Sequence, residues 1–330
     1  MSEIFNFDLP KELIAQYPLK EREKARLMIV HRENKEIKED LFENIGNYLN
    51  DRFVIVLNDT RVIPARIICN KETGGKIEVF LLKNLDKFLW QVLIKGKIKV
   101  SAKFKKEDME GKIVEKKENG SYIVEFNKDK EEIKNYGEIP LPPYIKRKPE
   151  KEDKIYYQTV YAKKNGSIAA PTAGLHFTEE IIEKLKNKGI EFISITLHIG
   201  WYSIKVLKEN KNSVGEEYLE INEETAIRLN ELKSKGKKII AVGTSTTRGL
   251  ESATENGKIK PYNGYTNLFI KPGFKFKFID GLITNFHLPK STHLSLVCAF
   301  AGTELIEKCY KIAIEKKYRF YSYGDSMLII

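Results

Sequence analysis

Three of the five histidines in this chain stand where chemistry is easiest to build: His176 in "APTAGLHFT", His198 in "TLHIG" and His287 in "ITNFHLPKST". Each lies just ahead of a helical pattern or at the end of an apolar run. Imidazole titrates near neutral pH, so a residue so placed can take or return a proton. One such histidine alone is readily structural, but three at converging turns point to a shared pocket. His31 sits among charged residues and His293 falls within an apolar helix, so neither joins the set. Three imidazoles and a water can also hold a catalytic zinc. No His-x-x-x-His pair or cysteine cluster supports that, and no metal is expected.

Other turns carry polar groups. Asp59 and Arg61, in "VLNDTRVIPAR", place a carboxylate and a planar donor on one turn, either as a structural ion pair or as a ligand reader. Gly243, Thr244 and Arg248, in "AVGTSTTRGLES", resemble a strand-to-helix anion cradle. That stretch lacks the lysine of a P-loop and the three spaced glycines of a dinucleotide fingerprint, so nucleotide hydrolysis and NAD binding are poorly supported. In "HLPKST", Pro289 fixes a turn, Lys290 adds a cation and Ser291 can cap the next helix. Near the carboxyl end, "YRFYSYGDSMLII" gathers Arg319, Tyr321, Tyr323 and Asp325 around Gly324, as an aromatic wall for a base or as a last core strand.

These turns need elements to hold them. Apolar runs at "DRFVIVLNDT", "EFISITLHIG", "KKIIAVGTS", "DGLITNFH" and "SMLII" read as buried strands, and helices fall at about 178–188, 223–235, 244–254 and 291–317, the last broken near Gly302. Thr178 caps the first helix, whose opening turn carries Glu179 and Glu180. Between Ala65 and Ile139 the texture is different. "GGKIEVFLL", "KFLWQVLIKGKIKV" and "GKIVEKKENGSYIVEF" are short β-branched and aromatic runs parted by Gly, Asn and Lys, with the Asn119-Gly120 signature of a tight hairpin. The expected architecture is an α/β main domain assembled from both ends of the chain, residues 1–64 and 150–330, with an inserted small antiparallel β-barrel-like domain at 65–149. Ligands in open α/β sheets bind beyond the carboxyl ends of strands, where these polar turns fall.

Bulk properties narrow the field. A chain of 330 residues with 42% hydrophobic content can build more than one core. The net charge of +11 favours polyanionic partners. Cys69, Cys298 and Cys309 have neither an even count nor metal-ligand spacing, which fits a reducing cytoplasm. No apolar run reaches the ~18 residues of a membrane span, and the amino-terminal stretch has early acids and no apolar core, so a soluble, unprocessed cytoplasmic protein is expected.

In order along nearly the whole chain, "FDLPKELIAQYPL", "VLNDTRVIPARI", "GGKIEVFLL", "YQTVYA", "GSIAAPTAGLHFT", "TLHIG", "ITNFHLPKST" and "YRFYSYGDSMLI" resemble the S-adenosylmethionine:tRNA ribosyltransferase-isomerase family of queuosine biosynthesis. "APTAGLHFT" and "NFHLPKST" are highly specific to it. The resemblance implies an enzyme that moves the ribosyl part of S-adenosylmethionine onto 7-aminomethyl-7-deazaguanine at the wobble position of tRNA. Isomerisation then gives epoxyqueuosine, with release of adenine and methionine. It implies S-adenosylmethionine as co-substrate, no permanently bound cofactor, the tRNA anticodon stem-loop as partner, and a monomer. A sulfonium acidifies the adjacent ribose carbon, so a base that removes that proton starts loss of adenine, and the RNA amine attacks the opened sugar as methionine leaves. Candidate bases are His176, His198, His287 and Asp59. Candidate substrate contacts are Arg61, Thr172, Ala173, Gly174, Gly243, Thr244, Glu217, Asp325, Arg248 or Lys290 for the methionine carboxylate, and Tyr323 for stacking. The small residues from Ala169 to Gly174 then let substrate approach the backbone. Lys95, Lys97, Lys103, Lys105 and the "IKRK" segment Ile145 to Lys148 are candidate RNA contacts or plain solvated faces.

The chain departs from the family pattern in places. "WYSIKV", Trp201 to Val206, replaces a Gly-Thr-Phe-x-Pro-like turn, and its bulky Trp201 and Tyr202 would narrow a pocket. "NSVGEEY", Asn212 to Tyr218, keeps only Glu217 of a His-x-Met-His-Ser-Glu pattern. Ser245, Gly249 and Tyr156 are further departures. A paralogue with another acceptor, or an RNA-binding protein without catalysis, are the alternatives these changes raise.

Overall fold

The computed structural model describes residues 6–201 and 214–330. At its centre lies a nine-stranded sheet. Four neighbouring strands, Glu191–Leu197, Phe53–Asn58, Lys238–Val242 and Gly281–Asn285, run parallel. Three of these are buried almost end to end, as strands covered on both faces must be, which explains their unbroken apolar runs. On one flank Glu217–Ile221 and Tyr262–Thr266 add antiparallel strands. On the other, Ser326–Ile329 pairs antiparallel to Gly281–Asn285, followed by Arg26–Val30 and Ile37–Leu41. The main sheet is thus assembled from both ends of the chain.

Local signals set the helices. Thr178 Oγ1 accepts from Ile181 N at 3.2 Å ahead of Glu179–Asn187, Asn222 Oδ1 from Thr225 N at 2.8 Å ahead of Glu223–Ser234, and Ser291 Oγ from Leu294 N at 3.2 Å ahead of Thr292–Ala301. Gly302, at φ +89°, parts that last helix from Thr303–Glu315.

Six strands form a closed antiparallel barrel: Arg66–Lys71, Lys76–Asn84, Leu89–Lys95, Tyr122–Phe126, Met109–Lys116 and Lys103–Lys106. Asn119-Gly120 makes the expected hairpin turn, with Gly120 at φ +83°. At Gly111 a Cβ would lie 2.4 Å from the Phe104 ring, so the barrel interior closes only over glycine there. Lys97 to Val100, expected to prolong a strand, is irregular instead. Closure falls to Lys103–Lys106, whose single inward residue, Phe104, is hidden among outward lysines.

The barrel does not float free. Its Ile67 and Val79 belong to the same apolar cluster as Ile193 and Leu197 of the main sheet, and Trp201 packs on Phe80 with ring centroids 4.8 Å apart. The returning chain packs Ile139, Ile145 and Tyr157 against Val62, Ala170, Leu175 and Tyr323. This segment forms one side of the cleft described next.

Candidate active site

The principal cleft opens at the carboxyl ends of Lys238–Val242 and Gly281–Asn285. Gly243 adopts φ +90°, a left-handed conformation suited to glycine, and turns the chain straight into the helix Thr244–Ser252. Thr244 and Ser245, in that helix's first turn, face the cleft, as do Ser291 and Thr292 at the start of Thr292–Ala301. Two helix amino-termini therefore border one cavity, lending it N–H donors and a positive field. The small-residue stretch Ala169 to Ala173, including Thr172, also lines it, with Ala173 Cβ 3.7 Å from where a Cβ on Gly243 would lie.

His287 is the sequence-chosen histidine that lines this cleft. Its Nε2 meets Thr284 Oγ1 at 2.8 Å, and its backbone N donates to Tyr310 Oη at 2.7 Å. His293, read from sequence as part of an apolar helix, lines the cleft as well and stacks on His287 with centroids 5.3 Å apart and planes 24° apart. Burial, reinforced by the neighbouring His293, holds His287 well below the usual imidazole range. Burial, with Arg248 nearby, takes His293 down to about 4. Both rings are neutral at physiological pH. The signal for His293 was its position: two residues past the Ser291 cap, it belongs to the helix turn that borders the pocket.

The other two histidines stand elsewhere. His176 is buried beside Phe42, and its Nε2 lies 3.3 Å from Asn285 Oδ1, whose own amide donates to Tyr321 O at 2.8 Å. Asn285 lines the cleft, so His176 touches it through one intervening side chain. His198 lies near the strand end where Asp59 sits. Its Nδ1 meets Thr60 Oγ1 at 2.7 Å, its ring stacks on Tyr218, and a Cβ on Gly166 would lie 2.5 Å from its Nε2. One cleft does not hold all three, because the sheet's carboxyl edge is wider than a single pocket.

The carboxylate and cation candidates resolve into distinct settings. Asp59 is buried and accepts from Thr196 Oγ1 at 2.6 Å, while exposed Arg61 donates to Ala162 O; among the described residues no ion pair joins them. Arg248 lines the cleft but is already engaged: Nη1 reaches Glu217 Oε2 at 2.5 Å, and Nη2 reaches Gly215 O at 2.7 Å and Thr266 O at 2.8 Å. Among the described residues its Nε is buried and has no hydrogen-bond partner. Gly174 faces Tyr161, whose hydroxyl would lie 1.9 Å from a Cβ there, so its smallness serves packing. Lys290, at φ +57°, sits on the exposed side of its turn. Asp325 accepts from Arg26 N and Arg319 N at 2.9 and 2.7 Å, while burial pushes its carboxyl up.

Tyr323 is withdrawn from the cleft: its hydroxyl donates to Asp153 Oδ1 at 2.9 Å, and Asp153 holds Arg147 through two bonds of 2.6 and 2.7 Å. The aromatic wall is Tyr321, two residues earlier, which packs against Tyr144 with centroids 4.2 Å apart and planes tilted by 38°. Tyr321 has φ +73°, a strained conformation for an aromatic residue, and among the described residues its buried hydroxyl has no partner. Of the altered family turns, Trp201 packs on the barrel and Glu217 pairs with Arg248, whereas Tyr202 to Ser213 lie outside the described residues.

A pH dependence follows from the histidines. Burial lowers His176 from 6.5 to about 4 in the folded chain, against the bond to Asn285, and His293 likewise falls to about 4. Between about 6.5 and about 4 the unfolded chain binds these protons and the folded one does not, so stability is full above that window and falls as pH drops through it. Chemical denaturation at pH 7 and pH 5 should show the loss, and His176→Gln should reduce it by up to ~2 kcal/mol. An unchanged pH slope in that variant would refute the assignment.

An α/β sheet with an inserted barrel, and a donor-lined cleft holding two neutral imidazoles at its carboxyl edge, define an enzyme that handles a small polar substrate. The family model described as "Queuosine biosynthesis protein" matches residues 2–329, and the chain belongs to that family. It is 49% identical over 338 residues to the S-adenosylmethionine:tRNA ribosyltransferase-isomerase of Caldanaerobacter subterraneus subsp. tengcongensis, covering 99% of this chain and 98% of that one. The Aquifex aeolicus protein of the same name is 46% identical, with 99% of each chain covered. The crystal structure of S-adenosylmethionine tRNA ribosyltransferase from Thermotoga maritima is similar at 36% identity, with 99% of each chain covered and a TM-score of 0.59.

Proposed function

We infer that this chain carries out the reaction for which its relatives are named. It transfers and isomerises the ribosyl moiety of S-adenosylmethionine onto 7-aminomethyl-7-deazaguanine at the tRNA wobble position, giving epoxyqueuosine-tRNA, adenine and methionine. Support comes from the full-length relationship to proteins of that name and, in the structure, from the His287–His293 pair set between two helix amino-termini.

His287 takes the proton from the ribose carbon beside the sulfonium. Its depressed basicity keeps it neutral and ready, and its conjugate acid gives the proton up readily to the departing adenine. Tyr321 and Tyr144 offer a face for a base, and the helix ends at Thr244 and Thr292 offer donors to the methionine carboxylate. His176 acts through Asn285, and His198 and Asp59 brace the neighbouring strand ends. We read the chain as two bodies, 1–64 with 150–330 and the insert 65–149, working as a cytoplasmic monomer with no resident cofactor or metal. Among the described residues no helix is long and apolar enough to cross a membrane.

The decisive experiment measures adenine and methionine release from S-adenosylmethionine by the purified, chelator-treated protein. Release is expected only with tRNA carrying the aminomethyl-deazaguanine. Release with a different acceptor, or none despite tRNA binding, would overturn the reading.

A further inference from the structure

Tyr17 leaves half of its surface to solvent, at 50% the most exposed aromatic side chain among the described residues, and yet it is held in place. The Arg147 guanidinium lies over its ring, 4.4 Å from the centroid, its hydroxyl donates to Glu150 Oε1 at 3.3 Å, and its carbonyl accepts from Arg319 Nη2. Arg147 is itself fixed: Asp153 holds it through two bonds of 2.6 and 2.7 Å, and its Nε donates to Gln16 O at 3.0 Å. A single exposed apolar group is ordinary on a protein surface. A ring backed by an anchored cation is different, because a partner that stacks on it pays little to order it.

The residue before this ring ties it to the principal cleft. Gln16 Nε2 donates to Tyr144 O at 3.0 Å, and Gln16 Oε1 accepts from Lys146 N at 2.7 Å. Tyr144 forms the aromatic wall of the cleft with Tyr321. The chain therefore leaves that wall and delivers Lys146, Arg147 and Lys148 beside Tyr17. Lys146 and Lys148 are exposed, and among the described residues neither makes an ion pair; the Lys146 ammonium donates to Pro143 O at 2.8 Å. Residues 146–154 carry five cations against three acids, so the surroundings of the ring favour an anionic partner. Of those acids, Asp153 is matched by Arg147 and Glu150 holds the Tyr17 hydroxyl.

Ring and cations together indicate which anion. An acidic peptide would use the lysines and leave the ring idle, whereas single-stranded RNA uses both, its bases stacking on aromatic faces and its phosphates meeting the cations. A base drawn into the cleft also deprives its neighbour of a stacking partner, and Tyr17 stands where it can replace that partner.

We propose that Tyr17, backed by Arg147, is a stacking platform for the base next to the one that enters the principal cleft, with Lys148 against the RNA backbone. The proposal rests on the tRNA-modifying reading above, and it fixes the side of the cleft from which the RNA strand arrives.

The test uses anticodon stem-loops that carry the aminomethyl-deazaguanine and, on one side of it or the other, the fluorescent base 2-aminopurine, bound by the full chain without S-adenosylmethionine. Wild-type protein should quench one of the two probes. Tyr17→Leu still covers the Arg147 guanidinium but has no ring, so it should abolish that quench and weaken binding about 10-fold, within the usual worth of one base stacked on an aromatic side chain. Tyr17→Phe keeps the ring and drops the bond to Glu150, and it should behave as wild type. Lys148→Gln should keep the quench and lower the slope of log affinity against log salt by ~0.7, the increment for one phosphate on a single strand. No quench by the wild type, or a quench and an affinity that survive Tyr17→Leu, would overturn the platform. Equal losses in the Leu and Phe variants would make the Glu150 bond a structural strut and do the same, and an unchanged salt slope would refute the backbone contact. Binding is read without turnover, so a protein that stacks the base here but releases no adenine would sink the proposed reaction and leave the platform standing.

Discussion

Replacing His287 with glutamine should lower turnover by about 10²–10⁴-fold, the usual contribution of a positioned general base, while leaving RNA and S-adenosylmethionine binding nearly intact. Glutamine approximates the reach of the imidazole and can keep a bond to Thr284, now at 2.8 Å, but cannot take the ribose proton. The wild-type acid limb should lie below 6.5, because burial and His293 hold the His287 ring below its usual range. Single-turnover adenine release from pH 5 to 8 checks both points. A variant with wild-type turnover, or one that loses binding as steeply as turnover, would remove His287 from proton transfer. His293→Gln should be milder and should move the acid limb upward, since the stacked ring is one of the causes that depress His287.

How much of this was legible before the structure depends on where each residue's partners lie in sequence. The parallel strands were readable because burial on both faces writes an unbroken apolar run, as in Phe53–Asn58 and Gly281–Asn285. Two of the helices were readable from their caps, Thr178 and Ser291. Edge strands were not: Tyr262–Thr266 and Ile37–Leu41 expose much of their length, so their pattern is that of a loop until a neighbour supplies the ladder. The site shows the same division. Turns at strand ends were found, but which turns share a cavity depends on strand order, which no local pattern encodes. His176, His198 and His287 were therefore grouped by similarity of setting, although only His287 of the three faces the cleft. Tyr321 and Tyr323 part company because the chain turns there, Gly324 N donating to Tyr321 O at 2.9 Å, ahead of the strand Ser326–Ile329.

Arg248 and Glu217 give the largest expected effect on stability, and they also test whether Arg248 touches substrate. The guanidinium ties the helix Thr244–Ser252 to the last two strands of that flank through Glu217, Gly215 O and Thr266 O, and Glu217 Oε1 accepts from Gly200 N at 2.9 Å. Both side chains are over nine-tenths buried, with relative exposures of 9% and 3%. Arg248→Met removes the guanidinium that faces the buried Glu217 carboxylate, which should cost ~3–5 kcal/mol. At about 2 °C per kcal/mol for a chain of this size, the thermal midpoint should fall by roughly 5–10 °C. Adding Glu217→Leu removes the buried carboxylate as well and should restore part of that loss, short of the bond to Gly200 N. Activity then separates two roles. If Arg248 is a strut, the double variant should recover its S-adenosylmethionine KM together with its stability. If Nε, which has no partner among the described residues, grips the methionine carboxylate, stability returns while KM stays raised, because no rearrangement of the flanking strands replaces that donor. A single variant as stable as wild type would refute the strut itself.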